Sequence, residues 1–375
     1  MKPFSKPIYI TRPLLPSREA VYRKIDEIFD SQWLTNNGPQ HKLFEKTLEN
    51  YLQVPQLSLV NNGTSALQLA CQALRLSGEV ITTPFTFAAT PHVLYWNNIR
   101  PVFCDIEEDS WNLDPDKIES LITPSTSAIL PVHVFGNPCN TDSIQKIADR
   151  YGLKVIYDAS HCFGIKVNGQ GIGNFGDIST FSFHATKIFH TFEGGALTCP
   201  DPTIKIRVDL AKNFGFQGEN LVIVPGINAK MNEFQAAIGL LVLNIFEEEV
   251  EKRKKITMIY QDRLSEVKGI TFLDKVDQKV DYNYYNFVIR VDKDKYGKGR
   301  DELYEELKKY NVFARKYFYP LCSQFQCYKN YPSSSPENLP IAEKVSDEVL
   351  SLPLYGSLTD GDVNKICEII TMLGA

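Results

Sequence analysis

Between residues 57 and 158, short apolar runs alternate with segments of helical character, and this alternation restricts the fold more than any other feature of the chain. Residues 57–60, 79–82, 102–105, 127–134 and 153–158 read as strands, and the stretches from 66 onward, 88–96 and 141–151 read as helices. Strands that take turns with helices of about ten residues argue for an α/β fold with a mostly parallel sheet and helices on both faces. In such sheets ligands gather beyond the carboxyl ends of the strands. Gly63, Asp158 and the region of Lys187 all fall just past expected strand ends, so one crevice could receive all three.

The flanking regions differ in character. Residues 2–16, with prolines at 3, 7, 13 and 16, read as an extended arm. Ser17 can cap a helix running to about residue 30, with Val21, Ile25, Ile28 and Phe29 on one face. A turn at 33–39, with Thr35 in it, sets Trp33 beside the two amides Asn36 and Asn37, and a second helix follows from 40 to 51. Beyond about residue 240 come a long charged amphipathic helix (246–264), a hairpin-like region (282–291), a helix (300–310), an aromatic loop (315–320) and a last helix (360–373). These imply a large domain, 1–245 including the arm, and a smaller C-terminal α+β domain, 246–375. With no repeat and no low-complexity linker, the second is expected to pack on the first.

Composition excludes several roles. The net charge of −5, with no basic block, argues against nucleic acid as a partner. There is no charged-then-apolar leader and no apolar run near membrane-spanning length, so a soluble cytoplasmic protein is expected, without membrane association. Eight cysteines without a CxxC pair read as free thiols in a reducing compartment. Six histidines without an HxxxH pair make a protein-ligated metal unexpected.

Three groups carry the chemistry. Lys187 follows a β-type run at 178–183 and precedes Gly194-Gly195, after which a strand restarts at 196–198. A lysine held beside a sheet is partly desolvated, gives up its proton more readily and can act as an amine nucleophile. Asn61-Asn62-Gly63-Thr64-Ser65 joins a strand to a helix. That turn aims backbone N–H groups and the helix dipole at an anion, although a simple Ser/Thr cap would use the same residues. No Gly-Lys-Ser/Thr follows, so it is not a Walker loop. Asp158 closes an apolar strand. A lysine for an imine, an acid for a pyridine nitrogen and an anion cradle are the needs of pyridoxal phosphate, and Phe87 lies in a loop that could cover the ring.

Several motifs occur together in order: Asn62-Gly63-Thr64-Ser65-Ala66-Leu67, Pro84-Phe85-Thr86-Phe87-Ala88-Ala89-Thr90, Pro131-Val132-His133-Val134-Phe135-Gly136 and Asp158-Ala159-Ser160-His161. They continue with Gly176-Asp177, Ser182-Phe183-His184-Ala185-Thr186-Lys187, Glu193-Gly194-Gly195, Gly226-Ile227-Asn228-Ala229-Lys230-Met231 and Gln235-Ala236-Ala237. In this the chain resembles the DegT/DnrJ/EryC1/StrS sugar aminotransferases, which are fold type I pyridoxal phosphate (PLP/PMP) enzymes, over nearly its whole length. The resemblance implies that Lys187 bonds the cofactor and shuttles the proton, and that Asp158 partners the pyridine nitrogen. His161 falls near the ring hydroxyl, while Gly63, Thr64, Ser65 and Ser182 hold the phosphate. Phe87 becomes the stacking aromatic. Asn228 would reach the phosphate of a neighbouring subunit, which implies a homodimer with shared active sites. Thr35, Asn36, His184, Lys230, Arg315 and Tyr317 are the substrate-side expectations; at Lys230 many members carry arginine.

The implied reaction moves an amino group from L-glutamate to C4 of a nucleotide-linked 4-keto-6-deoxyhexose. The expected substrate is dTDP-4-keto-6-deoxyglucose, giving dTDP-4-amino-4,6-dideoxyglucose, and the setting O-antigen or lipopolysaccharide biosynthesis. The alternatives are amination at C3 of a 3-keto sugar and a non-enzymatic regulator on the same scaffold. The family's dehydratases carry a histidine where this chain has Lys187, which favours transamination.

Overall fold

A computed structural model describes residues 1–273 and 279–374. Its centre is a seven-stranded sheet: β1 (Gln56–Val60), β2 (Glu79–Thr82), β3 (Arg100–Phe103), β4 (Thr126–Leu130), β5 (Lys154–Asp158), β6 (Ile178–Ser182) and β7 (Gly195–Cys199), in the order β1-β7-β6-β5-β4-β2-β3. Only β7 runs against its neighbours, β1 and β6. The sheet is mixed but mostly parallel, as the alternation predicts.

Strands covered on both faces read as continuous apolar runs, and the burial pattern shows why. Val80, Ala128, Leu130, Ile156 and Ile178 pack with Leu67, Ala70, Leu94 and Val208 of helices Gly63–Ala73, Ala89–Trp96 and Pro202–Ala211. The alternate residues Ile81, Ile129, Val155 and Tyr157 turn the other way, onto Ile144, Ile147 and Ala148 of helix Thr141–Tyr151. One period-2 pattern therefore fills two cores.

A second sheet of three antiparallel strands, in the order Ile270–Phe272, Phe287–Val291, Val349–Leu352, lies against helices Phe246–Leu264, Arg300–Lys309 and Asp360–Gly374. The N-terminal arm touches both parts: its end at Leu14 packs against the cluster of Phe44, Phe189 and Met231 in the large one, and its start lies on this one. Ile8–Tyr9 pairs in parallel with Val312–Phe313, and Phe4 and Ile8 are buried in the same apolar cluster as Leu303, Leu350 and Ile366.

Other expectations shift for local reasons. The hairpin expected at 282–291 is a single strand, Phe287–Val291, which pairs instead with Ile270–Phe272, upstream of the expected hairpin, and with Val349–Leu352, far downstream. The strand expected over 127–134 stops at Leu130, because Pro131 brings no N–H to the ladder. The helix expected from residue 66 starts at Gly63, since Asn62 caps it. In helix Arg18–Ser31 the Ser17 cap and buried Ile28 are as expected, but Phe29 is exposed. Seven of the eight cysteines are buried and all are free; Cys327 is exposed. No helix among the described residues is long and apolar enough to cross a membrane.

Candidate active site

Three strand ends of the central sheet meet at one crevice. At the end of β1, Asn62 Oδ1 accepts from the Ser65 N–H at 2.8 Å and so opens helix Gly63–Ala73. The first N–H groups of any helix have no partner within it, which here leaves those of Gly63 and Thr64 to face the crevice mouth. Gly63 has a steric reason to be glycine: a Cβ there would lie 2.7 Å from Ser182 Cβ, at the end of β6. The two strand ends thus close on each other and put Thr64 and Ser182 on one rim.

At the end of β5, Asp158 is buried, and each of its carboxylate oxygens accepts one hydrogen bond. Its Oδ2 accepts from Thr90 Oγ1 at 3.0 Å, Thr90 shares a 2.9 Å hydrogen bond with Thr86 Oγ1, and Oδ1 accepts from the Ser160 N–H at 3.1 Å. Lys187 lies in the loop between β6 and β7. It lines the same cavity, of about 300 Å³, as Asp158 without forming an ion pair with it. Its Nζ donates instead to Tyr285 Oη across a long 3.5 Å. Burial is the largest influence on its amine and pulls it down to about 8, although Asp158 pushes the other way.

Gly63, Thr64, Phe87, His161 and Ser182 line this cavity with Asp158 and Lys187. His161 Nδ1 accepts from the Phe135 N–H at 3.2 Å, and the imidazole stacks on Tyr285 with centroids 4.5 Å apart. His184, Arg315 and Tyr317 line it as well. His184 shares a 2.8 Å hydrogen bond with Thr186 and lies 3.5 Å from the Glu193 carboxylate. Arg315 is fixed by backbone pairing with Ser351, and its guanidinium lies 4.3 Å over the Tyr317 ring.

Five expected residues do not line it. Ser65 sits one position too deep in its helix, where its N–H serves the cap. Thr35 and Asn36 belong to an exposed turn held by Trp33 Nε1, which donates to the Asn36 carbonyl at 2.8 Å. Lys230 Nζ donates to Asn213 Oδ1 at 2.9 Å and faces the Phe214 ring. Asn228 is exposed, close in sequence to exposed Phe214, Phe216, Leu221, Val222 and Ile223.

Sequence reasoning missed Thr86, Thr90, Tyr285 and Asn286. The first two stand in a quoted motif at a four-residue spacing, which puts two hydroxyls on one side of a helix start; that signal was readable. Tyr285 and Asn286 reach the cavity only because the C-terminal part folds back onto the sheet.

Residues 17–371 match the DegT/DnrJ/EryC1/StrS aminotransferase family. The chain belongs to this family. It is 46% identical over 369 residues to the dTDP-4-amino-4,6-dideoxy-D-glucose transaminase of Escherichia coli, covering 97% of this chain and 98% of that protein. Among solved structures it superposes on DesI, determined with its TDP-sugar product, with a TM-score of 0.94 and 36% identity, covering 100% of this chain and 94% of that one. The putative sugar aminotransferase Spr1654 from Streptococcus pneumoniae, solved in a PLP form, gives a TM-score of 0.90 at 26% identity over 98% of both chains, and its PMP form a TM-score of 0.91. The cofactor of this aminotransferase is pyridoxal phosphate. The donor set fits it: a lysine of lowered basicity, a buried carboxylate, and a cradle of helix N–H groups and hydroxyls that a Cβ at Gly63 would crowd.

Proposed function

We propose that this aminotransferase moves an amino group from L-glutamate to C4 of dTDP-4-keto-6-deoxyglucose, forming dTDP-4-amino-4,6-dideoxyglucose. The observation that carries the reading is Lys187 and Asp158 facing one cavity without pairing, which leaves room for a ring between amine and carboxylate. The 46% identity to an enzyme named for that product supports the choice of sugar.

When bound, pyridoxal phosphate supplies an electron sink for the carbon that loses its proton. The rest is done by the chain. Asp158, held by Thr90 and Ser160, would place its carboxyl group against the ring nitrogen. Lys187 moves the proton at the reacting carbon, a task that requires a neutral amine within the working pH range. Thr64, Ser182 and the first helical N–H groups would hold the phosphate, Phe87 would cover the ring, and His161 would serve its hydroxyl. Phe135, Tyr285 and Phe318 exclude water from the inner wall. Arg315 and His184, cationic or polar at the wall and mouth, suit the anionic parts of glutamate and of the nucleotide diphosphate.

The working unit in this reading is a homodimer. Exposed Phe214, Phe216, Leu221, Val222 and Ile223 form an apolar surface beside Asn228, as a subunit interface would require. Asn228, Lys230, Thr35 and Asn36 then serve the partner's cavity rather than their own. Incubation with dTDP-4-keto-6-deoxyglucose and glutamate, followed by mass and NMR analysis, tests the reading. Nitrogen at C4 supports it, whereas no product, or amination only when the 3-keto sugar is supplied in its place, overturns it.

A further inference from the structure

The amine of Lys187 is not aimed at the carboxylate across the cavity but at a phenol. Tyr285 Oη is 3.5 Å from Nζ, and the ring centroid is 5.1 Å away. Tyr285 enters from the C-terminal part of the chain, and three separate holds fix it. Its N–H donates to Asn283 Oδ1 at 3.1 Å, while Asn283 Nδ2 donates to the carbonyls of His161 at 2.9 Å and Phe163 at 3.1 Å. Its carbonyl accepts from Arg253 Nη1 at 3.1 Å, and that buried guanidinium is held in turn by Glu249 at 2.7 Å. Its ring stacks on His161. Tyr284, between the clamp and the phenol, takes a left-handed backbone with φ of 53°. A bulky residue stays in that region only where its surroundings demand it.

We propose that Tyr285 is a positioning residue for Lys187, its hydroxyl being the station where the amine waits whenever it is not bonded to the cofactor. A phenol serves both states of the lysine: its lone pair accepts from an ammonium, and its O–H donates to a neutral amine. Burial pushes Tyr285 up to about 12, so the phenol stays neutral over the working range. Asp158, Cys162 and Tyr317 are the other titratable groups that face Lys187, and Arg253 and Arg315 bear on Tyr285 in turn. Of these, the phenolic oxygen is the group within hydrogen-bonding distance of the amine. Losing it therefore costs the ammonium more than the neutral amine, because a hydrogen bond from a charged donor is the stronger one.

The functional meaning rests on Lys187 as the cofactor-bonding lysine, but the test reads the amine itself. The full-length chain is loaded with pyridoxamine phosphate, which leaves Lys187 unbonded, and exposed to trace acetic anhydride from about pH 6 to about pH 10. Mass spectrometry of the Lys187 peptide gives the labelling midpoint. Tyr285→Phe, which keeps the ring and its stacking, should lower that midpoint by about half a unit, an about threefold larger neutral fraction near neutrality. Tyr285→Leu also removes the ring under the ammonium and should lower it further. A Tyr285→Phe midpoint equal to or above that of the parent overturns the proposal, whether or not Tyr285→Leu folds. A shifted midpoint in a chain that fails to aminate the keto sugar would leave the proposal standing and remove the substrate reading instead.

Discussion

Thr90 Oγ1 donates to Asp158 Oδ2 across 3.0 Å, with both residues buried, and the Thr86 hydroxyl stands 2.9 Å behind Thr90. A buried carboxylate meant to face a protonated ring nitrogen has to be held at one angle, and a threonine hydroxyl bonded to it does that. Thr90→Val keeps the shape and removes the donor. A hydrogen bond to a charged group is worth about 1.5–3 kcal/mol. If that loss falls on the transition state, kcat drops by about ten- to a hundredfold. Steady-state kinetics on the variant, with circular dichroism as a check on folding, measure this. An unchanged kcat would mean that Asp158 needs no such support.

Lys187→Ala should abolish turnover while the chain still binds the cofactor through Asp158, Thr64 and Ser182. Treatment with borohydride should fix the cofactor to the parent protein and leave the mass of the variant unchanged. Turnover near that of the parent would refute the assignment of Lys187.

The lowered basicity of Lys187 has a sign in stability. Its amine stands at about 8 in the folded chain against 10.5 in the ordinary case, with burial as the main cause. Between those values the unfolded chain holds a proton that the folded chain does not, so stability from this site rises with pH across the window. Below about 8 the folded chain carries the cost of a desolvated ammonium. Lys187→Met should therefore raise the Tm of the cofactor-free chain at pH 7, and the gain should shrink as pH climbs toward 10. Thermal melts at the two pH values check both sign and trend.

Gly63→Ala should weaken cofactor binding more than it weakens the fold. The added Cβ would meet Ser182 Cβ at 2.7 Å, so the turn after β1 or the end of β6 must move. Both carry the phosphate cradle. Cofactor titration should show a raised Kd, with a loss of folding stability of about 1–3 kcal/mol, the usual cost of overpacking. A normal Kd would place the phosphate elsewhere.

Co-expression tests the shared site. Chains carrying Lys187→Ala are paired with chains carrying a disruptive change such as Asn228→Asp, each inactive or impaired alone. A heterodimer has one cavity with an intact Lys187 and an Asn228 supplied from across the interface, so part of the lost activity should return. Failure to recover any activity, or a monomer active at high dilution, would remove Asn228 from the partner's cavity.

The local grammar of the chain decided much of this protein by itself. Alternating strands and helices, the Asn62 cap, the Gly63 turn and the apolar run ending at Asp158 are short-range signals, and each survives in the structure at or within a few residues of its expected place. Gly63, Asp158 and the region of Lys187 were legible from strand ends, where a parallel sheet gathers its ligands, whereas Thr64, Ser182 and His161 were marked by the family resemblance; all of them line one cavity. Tertiary structure alone decided the rest. Tyr285 is 98 residues from Lys187, and nothing in its neighbourhood marks it, since local reading saw a hairpin where long-range pairing left one strand. The arm shares its strand pairing and its apolar cluster with residues some three hundred positions away, Ile8 with Val312 and Phe4 with Ile366. Thr35, Asn36, Asn228 and Lys230 lie on no wall of their own chain's cavity, so any role there depends on an interface. Periodicity reports which face of an element is buried, but not which distant element buries it; that is settled only when the whole chain packs.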